Sequence, residues 1–232
     1  MILAVIPARG GSRRVPRKNV RPFLGRPMIA WAIDAARASG AFDRIVVSTD
    51  DDDIAAAAKA AGAEVPFRRP AALADDHTPT RPVIAHAIEA LGADDAEAVC
   101  CLYATAPLVD PEDLGRGLAR LRAGAASYVF PMVPFPSPIQ RALRRAADGR
   151  IEMFDPAAFH ARSQDLEPAW HDAGQFYWAR PATWRTDAPV FTPAAIGLAI
   201  APERVQDIDT DEDWRLAEMK ARLLGLDGAA PG

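Results

Sequence analysis

Three apolar runs constrain this chain most: "ILAVIP" at 2–7, "RIVVST" at 44–49 and "AVCCLYAT" at 98–105. Runs that do not alternate with polar residues belong to strands covered on both faces, as in a parallel sheet flanked by helices. Between them lie helical patterns. Met28–Ser39 places Ile29, Ile33 and Ala36 on one face and stops at Gly40, and an alanine-rich stretch, Asp51–Ala61, stops at Gly62. Pro82–Leu91 and Glu112–Arg122 read as helices, and "AEVPF" at 63–67 reads as a short strand. This order predicts an α/β, Rossmann-like fold with a mostly parallel sheet.

The second half changes character. Pro131, Pro134, Pro136 and Pro138 interrupt residues 128–140, which predicts an edge strand or an excursion from the sheet. "GQFYWAR" at 174–180 and "GLAIAP" at 197–202 read as strands. A last helix over Asp211–Leu224 turns Trp214, Ala217, Ala221 and Leu224 inward, and 225–232 reads as a flexible tail. With 232 residues and no long linker, 1–224 is expected to be one domain.

Charge supplies the functional clue. The chain carries a formal charge of −4, yet residues 1–33 hold seven basic side chains and no acidic one. Five of the seven fall in "PARGGSRRVPRKN" at 7–19, directly after the first strand. Ligands of open parallel sheets bind beyond the carboxyl ends of the strands. There, Gly10 and Gly11 let backbone N–H groups approach an anion, and Arg9, Ser12, Arg13 and Lys18 match phosphate oxygens. The loop is neither GxxxxGK[ST] nor GxGxxG.

Near the other end, "VQDIDTDEDW" sets Asp207 and Asp209 two residues apart. In an extended segment such residues share a face, and paired carboxylates suit a hard cation such as Mg²⁺. Asp211, Glu212 and Asp213 read instead as charges at a helix start, as do Asp50–Asp53. Other classes are disfavoured. No run approaches the ~20 apolar residues of a membrane span, and the start lacks the charge order of a signal peptide. Acidic balance argues against nucleic acid as a partner. The adjacent Cys100 and Cys101 point to opposite faces and fit neither a metal site nor a disulfide, as in a reducing cytoplasm.

The opening loop, with "FDRIVVSTDD", "FRRPAALADD", "LYATAPL", "QRAL", "SQDLEPAWHDAGQFYW" and "VQDIDTDEDW", resembles the CMP-sialic acid synthetase family of cytidylyltransferases over residues 2–220. "QRAL" and "HDAGQFYW" resemble its pseudaminic branch most. The resemblance implies a nucleotide-diphospho-sugar transferase type of fold and CMP transfer from CTP to an acidic nine-carbon sugar. It also implies Mg²⁺ on Asp207 and Asp209, and a homodimer whose arm, around 128–164, serves the neighbouring sugar site. By the same resemblance Arg69 meets the cytosine, Asp76 and Thr78 lie in the adjoining loop, and Asn19 meets the ribose; Thr105, at the end of the third strand on the binding side, is placed to donate a hydrogen bond to a substrate. Arg162 meets the sugar carboxylate. Gln140, His171, Asp172, Gln175 and Tyr177 line the sugar pocket, although a lone histidine such as His171 also reads as structural. Trp170, Trp178 and Trp184 read as packing. Tyr103 stands where the sialic branch has a glutamine, which leaves its role open.

Three alternatives stay open at this point. They are the same chemistry on N-acetylneuraminic, legionaminic or eight-carbon acids, a glycosyltransferase, and a non-catalytic nucleotide-binding module. The cytidylyltransferase reading requires the basic loop and the Asp207–Asp209 pair to meet across one cavity.

Overall fold

In a computed structural model that describes residues 1–228, strand β1 (Ile2–Pro7) opens the chain and is buried on both faces. A tight hairpin follows, β2 (Pro22–Phe23) and β3 (Arg26–Pro27), whose turn residues Leu24 and Gly25 both take positive φ, 46° and 80°. Such turns match the twist of their flanking strands. Helix α1 (Met28–Ala38), strand β4 (Arg44–Ser48), helix α2 (Asp52–Ala60) and helix α3 (Thr80–Ala90) come next. Strand β5 (Ala98–Leu102) and helix α4 (Pro111–Arg122) complete the first half. The second half adds β6 (Val129–Pro134), a small hairpin of β7 (Leu143–Arg145) and β8 (Ile151–Met153), β9 (Trp170–Asp172) and β10 (Phe176–Ala179). Short helix α5 (Pro181–Trp184), strand β11 (Ile196–Ala199) and helix α6 (Asp211–Leu223) end it.

The central sheet runs β11-β6-β10-β5-β1-β4, with β9 joined to β6. β4, β1 and β5 are parallel, β10 opposes β5 and β6, and β11 is parallel to β6. Strand alternation divides the core between the two faces. Ile6 and Cys100 pack with Ile29, Ile33, Leu114 and Leu118 of α1 and α4, while Leu3, Val5 and Cys101 pack with Ile84 and Ile88 of α3. The cysteines thus fill opposite cores, and burial pushes both thiols up.

A third apolar cluster positions the site. Phe23, Trp31 and Trp214 meet edge-on, at 5.6 Å for Phe23–Trp31 and 5.7 Å for Phe23–Trp214, with Val15, Ile208 and Ala217 around them. Each large side chain so buried contributes about 1.5–3 kcal/mol. The cluster joins the loop after β1, the β2–β3 hairpin, α1 and α6, so it carries the carboxyl-terminal Asp-Ile-Asp segment to the amino-terminal loop.

Several sequence expectations change. "AEVPF" forms a single parallel bridge, Val46–Glu64, because the chain leaves the sheet at once toward Pro66. The proline-rich strand lies inside the sheet, between β11 and β10. It accommodates Pro131 because β10 pairs only at Val129 and β9 begins at Met132, so the missing N–H faces the gap between them. The excursion therefore starts after Pro134 and returns at β9. The third apolar run ends as a strand at Leu102, where the chain turns along the binding edge. Within the expected tail, Leu226–Gly228 form a 3-10 turn, and 229–232 lie outside the described residues.

Candidate active site

β1, β4 and β5 all end at the same edge of the sheet, and two cavities open there. The first, about 470 Å³, is bordered by the loop after β1 and the loop before α3. Arg9, Ser12, Arg13, Lys18 and Asn19 line it from one side, and Arg69, Asp76, Thr78, Thr80 and Thr105 line it from the others. The second, about 940 Å³, is bordered by Tyr103, Thr105, His171, Asp172, Gln175 and Tyr177, with Asp207 and Asp209 on its far wall. Arg14, Lys18 and Thr105 line both.

The loop after β1 is fastened along its length. Asn19, buried, donates from Nδ2 to the Arg9 carbonyl at 2.9 Å, and Ser12 Oγ donates to the Val15 carbonyl at 2.8 Å. Arg17 sits at φ 57°, an uncommon backbone region for a side-chain-bearing residue, and ion-pairs with Asp51 and Asp53. Arg9 pairs with Asp76, and Arg13 Nε meets Asp76 Oδ2 at 2.8 Å. Asp75 shapes the opposite loop, accepting from the N–H of His77 and from the N–H and hydroxyl of Thr78; these bonds, the hydroxyl foremost, hold its carboxyl below the usual range.

Arg69 is 5% exposed; its Nε donates to Ser48 Oγ at 3.2 Å and its Nη2 to the Ser48 carbonyl. Burial draws this guanidinium down to about 10, which leaves it charged near neutrality, at the wall of the first cavity. Lys18 donates from Nζ to the Ile208 carbonyl and lies 3.7 Å from Asp209 Oδ1. Its pKa is lowered by burial, against the opposing pull of Asp209 and Asp207. Asp209 also pairs with Arg14. Ile208, buried between the two aspartates, anchors their segment. Thr210 and Asp213 form a reciprocal cap on α6, and the Asp213 carboxylate also accepts from the Asp209 N–H at 3.1 Å.

A hydroxyl pair joins the walls of the two cavities, and a second pair lies in the wall of the larger one. Thr80 Oγ1 and Tyr103 Oη are 3.1 Å apart, and Tyr177 donates to Asp172. Burial raises both phenols, Tyr103 to about 12, so they stay protonated as donors. Gln175 Nε2 donates to the Arg204 carbonyl at 2.5 Å, whereas its Oε1 is buried without a hydrogen-bond partner. A buried acceptor left free beside a cavity fits a donor supplied by a ligand.

Not every candidate falls in these walls. Gly10 borders neither cavity and donates its N–H to Asp50 Oδ1 at 3.1 Å. A Cβ there would sit 2.6 Å from Asp51 Oδ2, so this glycine serves the close approach to the start of α2. Gly11 is open: a Cβ at that position would meet nothing within 4 Å. Gln140 and Arg162 sit on the excursion, Gln140 donating to the Glu167 carbonyl at 2.9 Å and Arg162 pairing with Asp165 at 2.6 Å. His171 borders the second cavity, its Nδ1 2.9 Å from the Asp172 carbonyl oxygen. Trp178 and Trp184 are packed in the core, while Trp170 is exposed. Asp51 caps α2, accepting from the Ile54 N–H at 2.9 Å. Sequence reasoning missed Arg14, Asp75 and Thr80 as wall residues. Arg14 is held at the site by a partner 195 residues away, which local sequence does not reveal.

The family description "Cytidylyltransferase" matches residues 3–140, more than half of the chain. The chain belongs to the cytidylyltransferase family. It is 39% identical over 219 residues to the pseudaminic acid cytidylyltransferase of Campylobacter jejuni, covering 94% of each chain. It is 33% identical over 234 residues to the CMP-N,N'-diacetyllegionaminic acid synthase of Legionella pneumophila, covering 96% of this chain and 97% of that one. The fold is shared with a CMP:2-keto-3-deoxy-manno-octonic acid synthetase solved with CTP, at a TM-score of 0.70 and 17% identity, over 97% of this chain and 99% of that one.

Among the described residues of this cytidylyltransferase, no three His, Cys, Asp or Glu side chains gather as a self-contained metal centre. Asp207 and Asp209 nonetheless suit Mg²⁺, which binds through one or two carboxylates and takes its remaining oxygens from phosphate and water. No helix among the described residues is long and apolar enough to cross a membrane.

Proposed function

We propose that this enzyme transfers CMP from CTP to the anomeric 2-hydroxyl of a nonulosonic acid, pseudaminic acid foremost, and releases pyrophosphate. The observation that carries the reading is the junction of the two cavities, where Lys18 lines both and touches the Asp-Ile-Asp segment. One cavity has the charge for a triphosphate and a buried guanidinium for a base; the other has hydroxyls, an unpaired amide oxygen and room for a sugar. The reacting atoms belong where they join.

Arg9, Ser12 and Arg13 hold the outer phosphates, and Lys18 and Arg14 face the α-phosphate. Arg69 presents its guanidinium to the cytosine edge, and Asn19 fixes the loop beside the ribose. Asp172, Gln175, Tyr177 and His171 orient the sugar so that its 2-hydroxyl oxygen attacks the α-phosphorus in line. The bond from that phosphorus to the bridging oxygen breaks, pyrophosphate leaves with the electron pair, and the proton of the 2-hydroxyl is released to solvent. Asp207 and Asp209 hold Mg²⁺, which when bound supplies charge neutralisation to the phosphate oxygens. The fixed cations need no reorganisation as charge shifts to the leaving group.

The excursion carries exposed Leu143, Ile151, Phe154 and Phe159. A second copy covering this apolar arm, and receiving Gln140 and Arg162 into its own sugar cavity, accounts for both the exposure and the distance of those two residues from the cavities of their own chain.

The test is pyrophosphate release with CTP and Mg²⁺ against pseudaminic, legionaminic, N-acetylneuraminic and eight-carbon ulosonic acids. The highest kcat/KM is expected with pseudaminic acid. A preference for another acid overturns the sugar assignment, and no release with any acid overturns the reaction.

A further inference from the structure

The cradle for phosphate already holds an anion: Asp209 is paired with Arg14 and with Lys18, both of which line the first cavity. Resting on the function proposed above, these groups have two sets of partners to satisfy. The cations are to meet phosphate, and the carboxylate is to meet a divalent ion. Neither is free while they hold each other. The arrangement is built into the fold, because Ile208 is buried, Asp213 holds the Asp209 N–H, and Lys18 is tied to the Ile208 carbonyl.

We propose that Asp209 serves as a resident counter-ion, standing in for phosphate until a nucleotide displaces it from Arg14 and Lys18. Arg14 and Lys18 are the cations that change partners in this exchange. A polyphosphate entering the cradle takes over both cations and frees the carboxylate, so nucleotide binding raises the affinity for the metal. By linkage the metal raises the affinity for nucleotide by the same factor. Metal alone competes with two cations for one carboxylate, and metal-free phosphate competes with that carboxylate for the cations.

The test is equilibrium binding without turnover. Mn²⁺ binding is read by electron paramagnetic resonance with and without CTP, and binding of metal-free pyrophosphate in EDTA is read by calorimetry. Removing the Arg14 pair, an exposed ion pair, is expected to tighten Mn²⁺ binding without nucleotide by about threefold in Arg14→Gln. The coupling between CTP and Mn²⁺ should shrink by the same factor. Asp209→Asn, which removes the competitor, is expected to bind metal-free pyrophosphate several-fold tighter than wild type. Circular dichroism and thermal melting establish that each variant is folded, and Arg14→Lys, which keeps the charge, should behave like wild type toward Mn²⁺. Unchanged or weaker binding in either folded variant, Arg14→Gln toward Mn²⁺ or Asp209→Asn toward pyrophosphate, overturns the exchange. A wild-type chain that releases pyrophosphate from CTP yet shows no such shifts loses this inference and keeps its proposed function.

Discussion

The loop after β1 and the excursion between β6 and β9 are built on different terms. The loop is rich in charge, yet each of Arg9, Arg13, Arg14, Arg17, Lys18 and Arg21 meets a carboxylate within the same chain. Its shape is fixed by backbone bonds, by Asn19 and by the aromatic cluster beneath it. The excursion is the reverse. Its hairpin of β7 and β8 stands apart from the main sheet, and its large apolar side chains face outward. A pre-organised loop holds a highly charged ligand with little ordering cost at the moment of reaction. An exposed apolar arm has value only when something covers it. On the proposed function, the nucleotide half of the site is complete within one chain, and the sugar half is completed by the proposed second copy.

The comparison can be broken at either end. The largest effect is expected from Asp209→Ala, which should lower kcat by about 10³-fold, in line with the several kcal/mol a metal ligand supports, while the melting temperature barely moves. Turnover near the wild-type rate would remove Asp209 from the chemistry. Next comes Arg13→Ala. Its side chain is 85% exposed, so folding should be untouched, while kcat/KM for CTP falls by about 10²-fold through lost stabilisation of the departing phosphates. An unchanged kcat/KM would show that the loop binds without Arg13.

On the arm, Phe159→Asp should convert a dimer to a monomer in light scattering and raise KM for the sugar while KM for CTP holds. Equal changes in both constants would contradict the division between the halves. The smallest effect is expected from Thr210→Ala, which removes one half of the α6 cap. It should cost about 1 kcal/mol of stability, roughly 2–4 °C in a chain of this size, measured by thermal melting at neutral pH. Its partner Asp213 has its carboxyl held below the usual carboxylate range, first by the Thr210 hydroxyl. A depressed carboxyl contributes stability above the unfolded value and loses it as pH falls through the folded one, so the difference between variant and wild type should narrow in acid below about pH 4.

What the sequence revealed follows the same division. Buried strands, helix stops and the ligand-binding edge of the parallel strands β4, β1 and β5 are local patterns, and they were legible, whereas β9 and β10 run antiparallel and make the expected mostly parallel sheet a mixed one. Cys100 and Cys101 filled the two cores that alternation required of them. The meeting of the basic loop with the Asp-Ile-Asp segment was inferred from chemistry, and in the fold Arg14 and Lys18 do pair with Asp209. What escaped was set by neighbours distant in sequence. Pro131 sits inside the sheet because two partner strands leave a gap opposite it. Gly10 reads as a phosphate-binding glycine but is required by the start of α2, 40 residues on. Gln140 and Arg162 matched a sugar site that their own chain does not place beside them.

The account rests on the α-phosphate of a nucleotide lying at the junction of the two cavities, within reach of the sugar. Its most direct test is to follow label from CTP carrying ³²P at the α-phosphate, incubated with the enzyme, Mg²⁺ and pseudaminic acid. The account predicts that the label moves onto the sugar as its CMP conjugate, only when both the sugar and the divalent ion are present. Label that stays in CTP, or that appears as free CMP whether or not the sugar is added, would contradict it.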